Sequence, residues 1–83
     1  DKMKLNAHNY EAKEIFKIIR EWTGLTQEEL SNELNHKGRS WAKVIESGHN
    51  RYYFDDLLNI AKKHDINIIF EKKNTEKEKT TIK

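Results

Sequence analysis

Ala12, Ile15, Ile19 and Trp22 recur three or four residues apart, the spacing of one helical face, and Phe16 and Ile18 widen the stripe. This predicts a first helix from Asn9 or Tyr10 to Trp22, ended by Gly24. Thr26 then opens a second: its hydroxyl can accept from the Glu29 N–H while the Glu29 carboxylate reaches back to the Thr26 N–H. Glu28 and Glu29 suit the positive first turn, and Leu30 and Leu34 share one face. After a Gly-containing break a third helix is expected from Arg39 to Ser47, with Gly48 at its C′ position and Ala42 and Ile45 facing the core. The fourth spans Phe54–His64 and turns Phe54, Leu57, Leu58 and Ala61 inward. Asp55 and Asp56 lie in its first turn, and Lys62, Lys63 and His64 in its last, matching the helix dipole at both ends.

Beyond it, Ile66-Asn67-Ile68-Ile69-Phe70 is β-branched and aromatic, too short for a helix, and places Ile66, Ile68 and Phe70 on one face. We read residues 66–71 as a strand. A strand needs a partner for its backbone groups: the same strand of a second subunit, or the segment Lys2–Asn6 of the same chain. The organisation is then an N-terminal arm (1–8) in which Met3 and Leu5 alternate, a helical domain (9–65), the strand, and a charged tail (72–83) whose composition reads as disordered.

Composition narrows the function classes. Eighty-three residues, 36% charged and 35% hydrophobic, allow one small domain with a lean core. The absence of cysteine removes disulfides and thiolate metal sites as props, and suits a reducing cytoplasm. No apolar run approaches the roughly 20 residues of a membrane span, and no signal-peptide core appears, so a soluble, cytoplasmic protein with no membrane partner is expected. Net charge is only +2, but its distribution is uneven. Residues 36–52 hold Lys37, Arg39, Lys43 and Arg51 against one acid, Glu46, and a local basic stripe of this kind suits phosphate contacts.

Two short helices joined by a turn, the second flanked by basic and polar side chains, form the pattern of a DNA-binding helix-turn-helix. Leu25-Thr26-Gln27-Glu28-Glu29-Leu30, Arg39-Ser40-Trp41, Ile45-Glu46-Ser47-Gly48 and Leu57-Leu58-Asn59-Ile60-Ala61 together resemble the phage-repressor and Cro type (XRE-family) of helix-turn-helix transcriptional regulator, over about Phe16 to Ile66. The chain departs from that family at Asn35-His36-Lys37-Gly38, which is one residue longer than the usual turn and lacks the small apolar residue that buries there. The resemblance implies a mostly α, small four-to-five-helix lambda-repressor-like domain with a short C-terminal β-strand. It favours dimerisation through a C-terminal element, here Ile66, Ile68 and Phe70. It also likens Gln27 to a glutamine that touches phosphate and braces the recognition helix.

Base reading falls on three residues. Arg39, at the start of the third helix, can bond guanine O6 and N7 together; Ser40 can bond base or phosphate; Val44 can meet a thymine methyl, or bury against Trp41 or the loop. Lys43 is a flexible point charge suited to phosphate. Trp41 either packs on the sugar–phosphate wall or covers the gap left by the longer turn. Lys37, His49, Asn50 and Arg51 flank the helix and can grip the backbone. Of Tyr52 and Tyr53, one can bond phosphate while the other props the fourth helix. Glu46 would repel phosphate and is read as structural, expected to turn inward or bond nearby backbone.

Candidate chemistry is thin. His8, His36, His49 and His64 show no i,i+3 or i,i+4 pairing that would suggest a metal site. There is no Gly-rich phosphate loop, nucleophile elbow or other cofactor motif, so no enzyme and no cofactor is expected. The leading expectation is a homodimeric, sequence-specific double-stranded DNA binder, a repressor on an inverted-repeat operator. The alternative is an antitoxin that holds a toxin or other partner protein and autoregulates its operon. A ligand-controlled regulator finds no sensor pocket in the pattern.

Overall fold

The computed structural model describes residues 3–34 and 38–73. It is a small, mostly helical domain with four α-helices among the described residues: α1 (Ala12–Thr23), α2 (Gln27–Glu33), α3 (Trp41–Glu46) and α4 (Phe54–Lys63). Glu11 caps α1 through a capping box with Glu14, so the helix starts later than periodicity alone suggested. The preceding segment is not simply extended: Asn6 accepts from the His8 N–H and starts a 3-10 turn over Ala7–Asn9. The helix ends at Gly24, whose φ of 81° is left-handed, a conformation glycine takes without steric cost. The expected capping box of α2 is present, with Thr26 Oγ1 accepting from the Glu29 N–H at 3.1 Å and Glu29 Oε1 accepting from the Thr26 N–H at 2.9 Å.

Helix α3 packs on both α1 and α2, and α4 packs on α1. The core between them is Phe16, Ile19, Leu30, Leu34, Ala42, Ile45, Leu57 and Ile60, with Ala61 also buried. In α4 the inward set differs from expectation. Leu57 and Ala61 are buried as foreseen, but Ile60 rather than Phe54 joins them; Phe54 is exposed and Leu58 half-buried. The core stripe runs at positions 57, 60 and 61, the i, i+3, i+4 set, and leaves Phe54 on the flank.

Residues 66–70 carry no ladder, and no strand occurs among the described residues. The end of α4 shows why they turn back onto their own domain. Asp65 adopts a left-handed φ of 58°, one of the few side chains that tolerates it, and the Ile66 N–H donates to the Ala61 carbonyl at 2.9 Å. That closure folds Ile66 and Ile68 against the core of the same chain. Phe70 is 84% exposed and meets only the flank, its ring centroid 6.2 Å from that of Phe54. The three residues expected to share one dimerising face therefore divide between core and surface. Of the tail, only residues 72 and 73 fall among the described residues, and neither is helical.

Candidate nucleic-acid interface

Helix α3 is only six residues long and cannot hold itself in water. Ser40, at its N-cap, makes no side-chain cap bond. The cap is supplied from α2 instead: Ser31 Oγ accepts from the Ala42 N–H at 2.9 Å and donates to the Gln27 carbonyl at 2.9 Å, with Ser31 1% exposed. An N–H of the first turn of α3, which has no partner within its own helix, is thus satisfied across the helix pair. At the other end Gly48, at φ 90°, completes a left-handed closure in which the Gly48 N–H donates to the Ile45 carbonyl and the His49 N–H to the Val44 carbonyl.

The inner side of α3 is fixed by apolar and ionic contacts together. Ala42 and Ile45 are 0% and 1% exposed against the core. Glu46 turns inward, as expected of an acid beside a basic stripe. Arg20 forks onto it, Nε to Oε2 at 2.6 Å and Nη2 to Oε1 at 3.1 Å, and its Nη1 donates to the Leu25 carbonyl at 2.8 Å. Gln27 Nε2 donates to Glu46 Oε1 at 2.9 Å. The hydrogen bond and charge of Glu46 hold the Arg20 guanidinium pKa above its ordinary value, against the opposing pull of burial. This lock joins α1, α2 and α3, and it neutralises the acid that would otherwise offset the basic stripe.

The outer side carries much of the expected contact set. Arg39 lies in the turn before α3 rather than in its first helical turn, so α3 begins two residues later than the sequence pattern indicated. Its side chain is 77% exposed, with Nε 3.8 Å from Glu28 Oε2, a long surface contact of little energetic weight. Ser40 and Lys43 are exposed, and Val44 is half-buried. His49, Asn50 and Arg51 follow on the exposed loop, with His49 Nδ1 2.7 Å from Ser47 Oγ. Lys37 lies outside the described residues.

Three expected contact residues have other partners. Trp41 is half-buried with its ring T-shaped on Phe16, centroids 5.4 Å apart. Gln27 is engaged with Glu46 and so braces α3. Tyr52 leans on Phe16, centroids 5.0 Å apart, and its hydroxyl donates to the Ala12 carbonyl at 2.7 Å. Sequence reasoning did not single out Arg20 or Ser31. The one signal for Ser31 was its place four residues after Gln27, on the α2 side that meets α3; nothing in the local pattern marks Arg20.

Burial raises the Tyr52 phenol pKa above the ordinary tyrosine value. A group whose pKa is higher folded than unfolded lends stability that is intact below the unfolded pKa, about 10 for tyrosine, and lost as pH climbs through the folded value. Thermal melts should therefore fall above about pH 10, where a phenolate can no longer donate to Ala12. Tyr52→Phe should lower stability by about 1 kcal/mol at neutral pH and flatten that alkaline fall. An alkaline fall unchanged in Tyr52→Phe would assign it to other groups.

No helix among the described residues is long and apolar enough to cross a membrane. Comparison with protein-family models, with curated proteins and with solved structures finds no match to this chain.

Proposed function

We propose that this chain is a double-stranded DNA-binding regulator of the helix-turn-helix type, acting as a homodimeric repressor on an inverted repeat. The observation that carries the reading is the two-sidedness of α3. Its inner side is buried at Ala42 and Ile45 and locked at Glu46, while Lys43 stands exposed on the helix, and Arg39 and Ser40 stand exposed in the turn that leads into it. In this reading α3 enters the major groove, Arg39 reaches base edges from the turn, and Lys43 meets phosphate. Two copies would read half-sites about one helical turn, ~34 Å, apart.

The test is selection of bound duplexes from a random pool, followed by salt titration on the selected site. Arg39→Ala should relax preference at one base position at a cost of about 1–3 kcal/mol. Lys43→Gln should weaken binding uniformly and reduce the salt slope by about one. Parent-like binding by both variants would refute the docking of α3.

The antitoxin reading has one observation in its favour: Phe54, Ile69 and Phe70 are 47%, 76% and 84% exposed. Apolar side chains grouped at a surface mark contact sites in soluble proteins, and a toxin could cover them as well as a second copy. Light scattering of the purified chain separates the two readings. A dimer that disperses in Phe70→Lys supports self-association, and a monomer unchanged by Phe70→Lys supports a different protein.

A further inference from the structure

A cleft of about 620 Å³ opens between the start of α1 and the loop that follows α3. Its walls include Glu11, Lys13, Gly48, Asn50, Arg51 and Tyr52. Lys13 belongs to α1, far in sequence from the basic stripe, yet its side chain lies along Gly48 at the end of α3. A Cβ placed on Gly48 would stand 3.2 Å from Lys13 Nζ and 3.4 Å from its Cδ. The left-handed turn at Gly48 thus both closes α3 and leaves room for the lysine stem. One acid, Glu11, also lines the cleft and belongs to the capping box of α1, so two cations stand against one acid there; the Ala12 carbonyl accepts from Tyr52. Lys13, Asn50 and Arg51 remain exposed around the opening, offering two cations and an amide to an anion.

We infer that Lys13, Asn50 and Arg51 form a clamp for a phosphodiester of the DNA backbone, just past the C-terminal end of α3. This rests on the DNA-binding reading and adds to it a contact from α1, so that two cations from distant parts of the chain grip one strand while α3 meets the bases. A phosphate there fixes the register of α3 without reading sequence. In the free protein, Lys13 itself places a positive charge at the carbonyl end of α3, where a cation is favourable.

The experiment measures affinity of the full chain for a short random-sequence duplex across a salt series, alongside a thermal melt of each variant. Lys13→Gln should reduce the slope of log affinity against log salt by about one, and Lys13→Arg should keep the parent slope. Lys13→Gln together with Arg51→Gln should reduce it by about two. A stability role alone would move the melt and leave the slope in place. Inorganic phosphate at matched ionic strength should compete no better than chloride; selective competition by phosphate would assign the clamp to a small phosphorylated ligand and overturn the DNA assignment. If the parent binds duplex and Lys13→Gln keeps the parent slope, the clamp is wrong and the DNA reading stands. A parent chain that binds no duplex overturns both.

Discussion

Replacing Phe16 with Ala is expected to remove about a third or more of the domain's stability. Phe16 is 1% exposed, and its ring is the one that Trp41 of α3 and Tyr52 of the following loop both touch. Truncation would remove the transfer free energy of the ring, leave a cavity, and cut two aromatic contacts at once, for a loss of about 3–5 kcal/mol. A chain of this length has roughly 4–12 kcal/mol of total stability, and the core is short of material to collapse into the gap. Urea denaturation followed by far-UV circular dichroism should show the midpoint falling by about a third or more, with an unchanged slope. A loss below about 1 kcal/mol would mean that α1 and α3 are not joined through Phe16.

How far the chain could be read in advance depended on whether the determining interaction was local. Thr26 and Glu29 lie three residues apart, so their capping box follows from backbone geometry alone, and it is present. Leu30 with Leu34, Ala42 with Ile45, and Leu57 with Ala61 are buried as their spacing indicates. The inward turn of Glu46 was also legible, because an isolated acid in a basic stripe has an electrostatic reason to leave it.

Readings that needed a distant partner fared worse. Arg20 and Glu46 are separated by 26 residues, Tyr52 and Ala12 by 40, and no periodicity reports either pair. The start of α3 was set two residues early because Arg39 and Ser40 suit a first helical turn, whereas Ser31 satisfies the Ala42 N–H from another helix and lets α3 begin later. Residues 66–70 had the composition of a strand, but the left-handed closure at Asp65 turns Ile66 and Ile68 onto the core of their own chain. Alternation reported the burial at 66 and 68 correctly and not its partner. In the candidate interface the same division holds: of the expected outward residues only Lys43 is exposed on α3 itself, with Arg39 and Ser40 exposed before it. The brace from Gln27 follows what the resemblance implied, while its partner Glu46 and the packing of Trp41 and Tyr52 on Phe16 required the third dimension.

Arg20→Met should cost about 3 kcal/mol, the lower end of what breaking one side of a buried pair costs. The two side chains are 14% and 6% exposed, so salt should do little to soften the loss. What remains is the Glu46 carboxylate with only the Gln27 amide facing it, and the Leu25 carbonyl without its guanidinium donor. Removing both charges, Arg20→Met with Glu46→Leu, should recover most of that stability, because an apolar pair of similar volume needs no compensating charge. The double variant then separates holding the fold together from aiming α3. If the lock positions α3, the double variant should melt near the parent temperature yet discriminate its selected DNA site less sharply from random duplex. Its non-specific duplex affinity, which the proposed reading assigns to Lys43 and the loop cations, should change little. Parent-like discrimination in a stable double variant would show that Ala42, Ile45 and the Ser31 cap aim α3 without the ion pair.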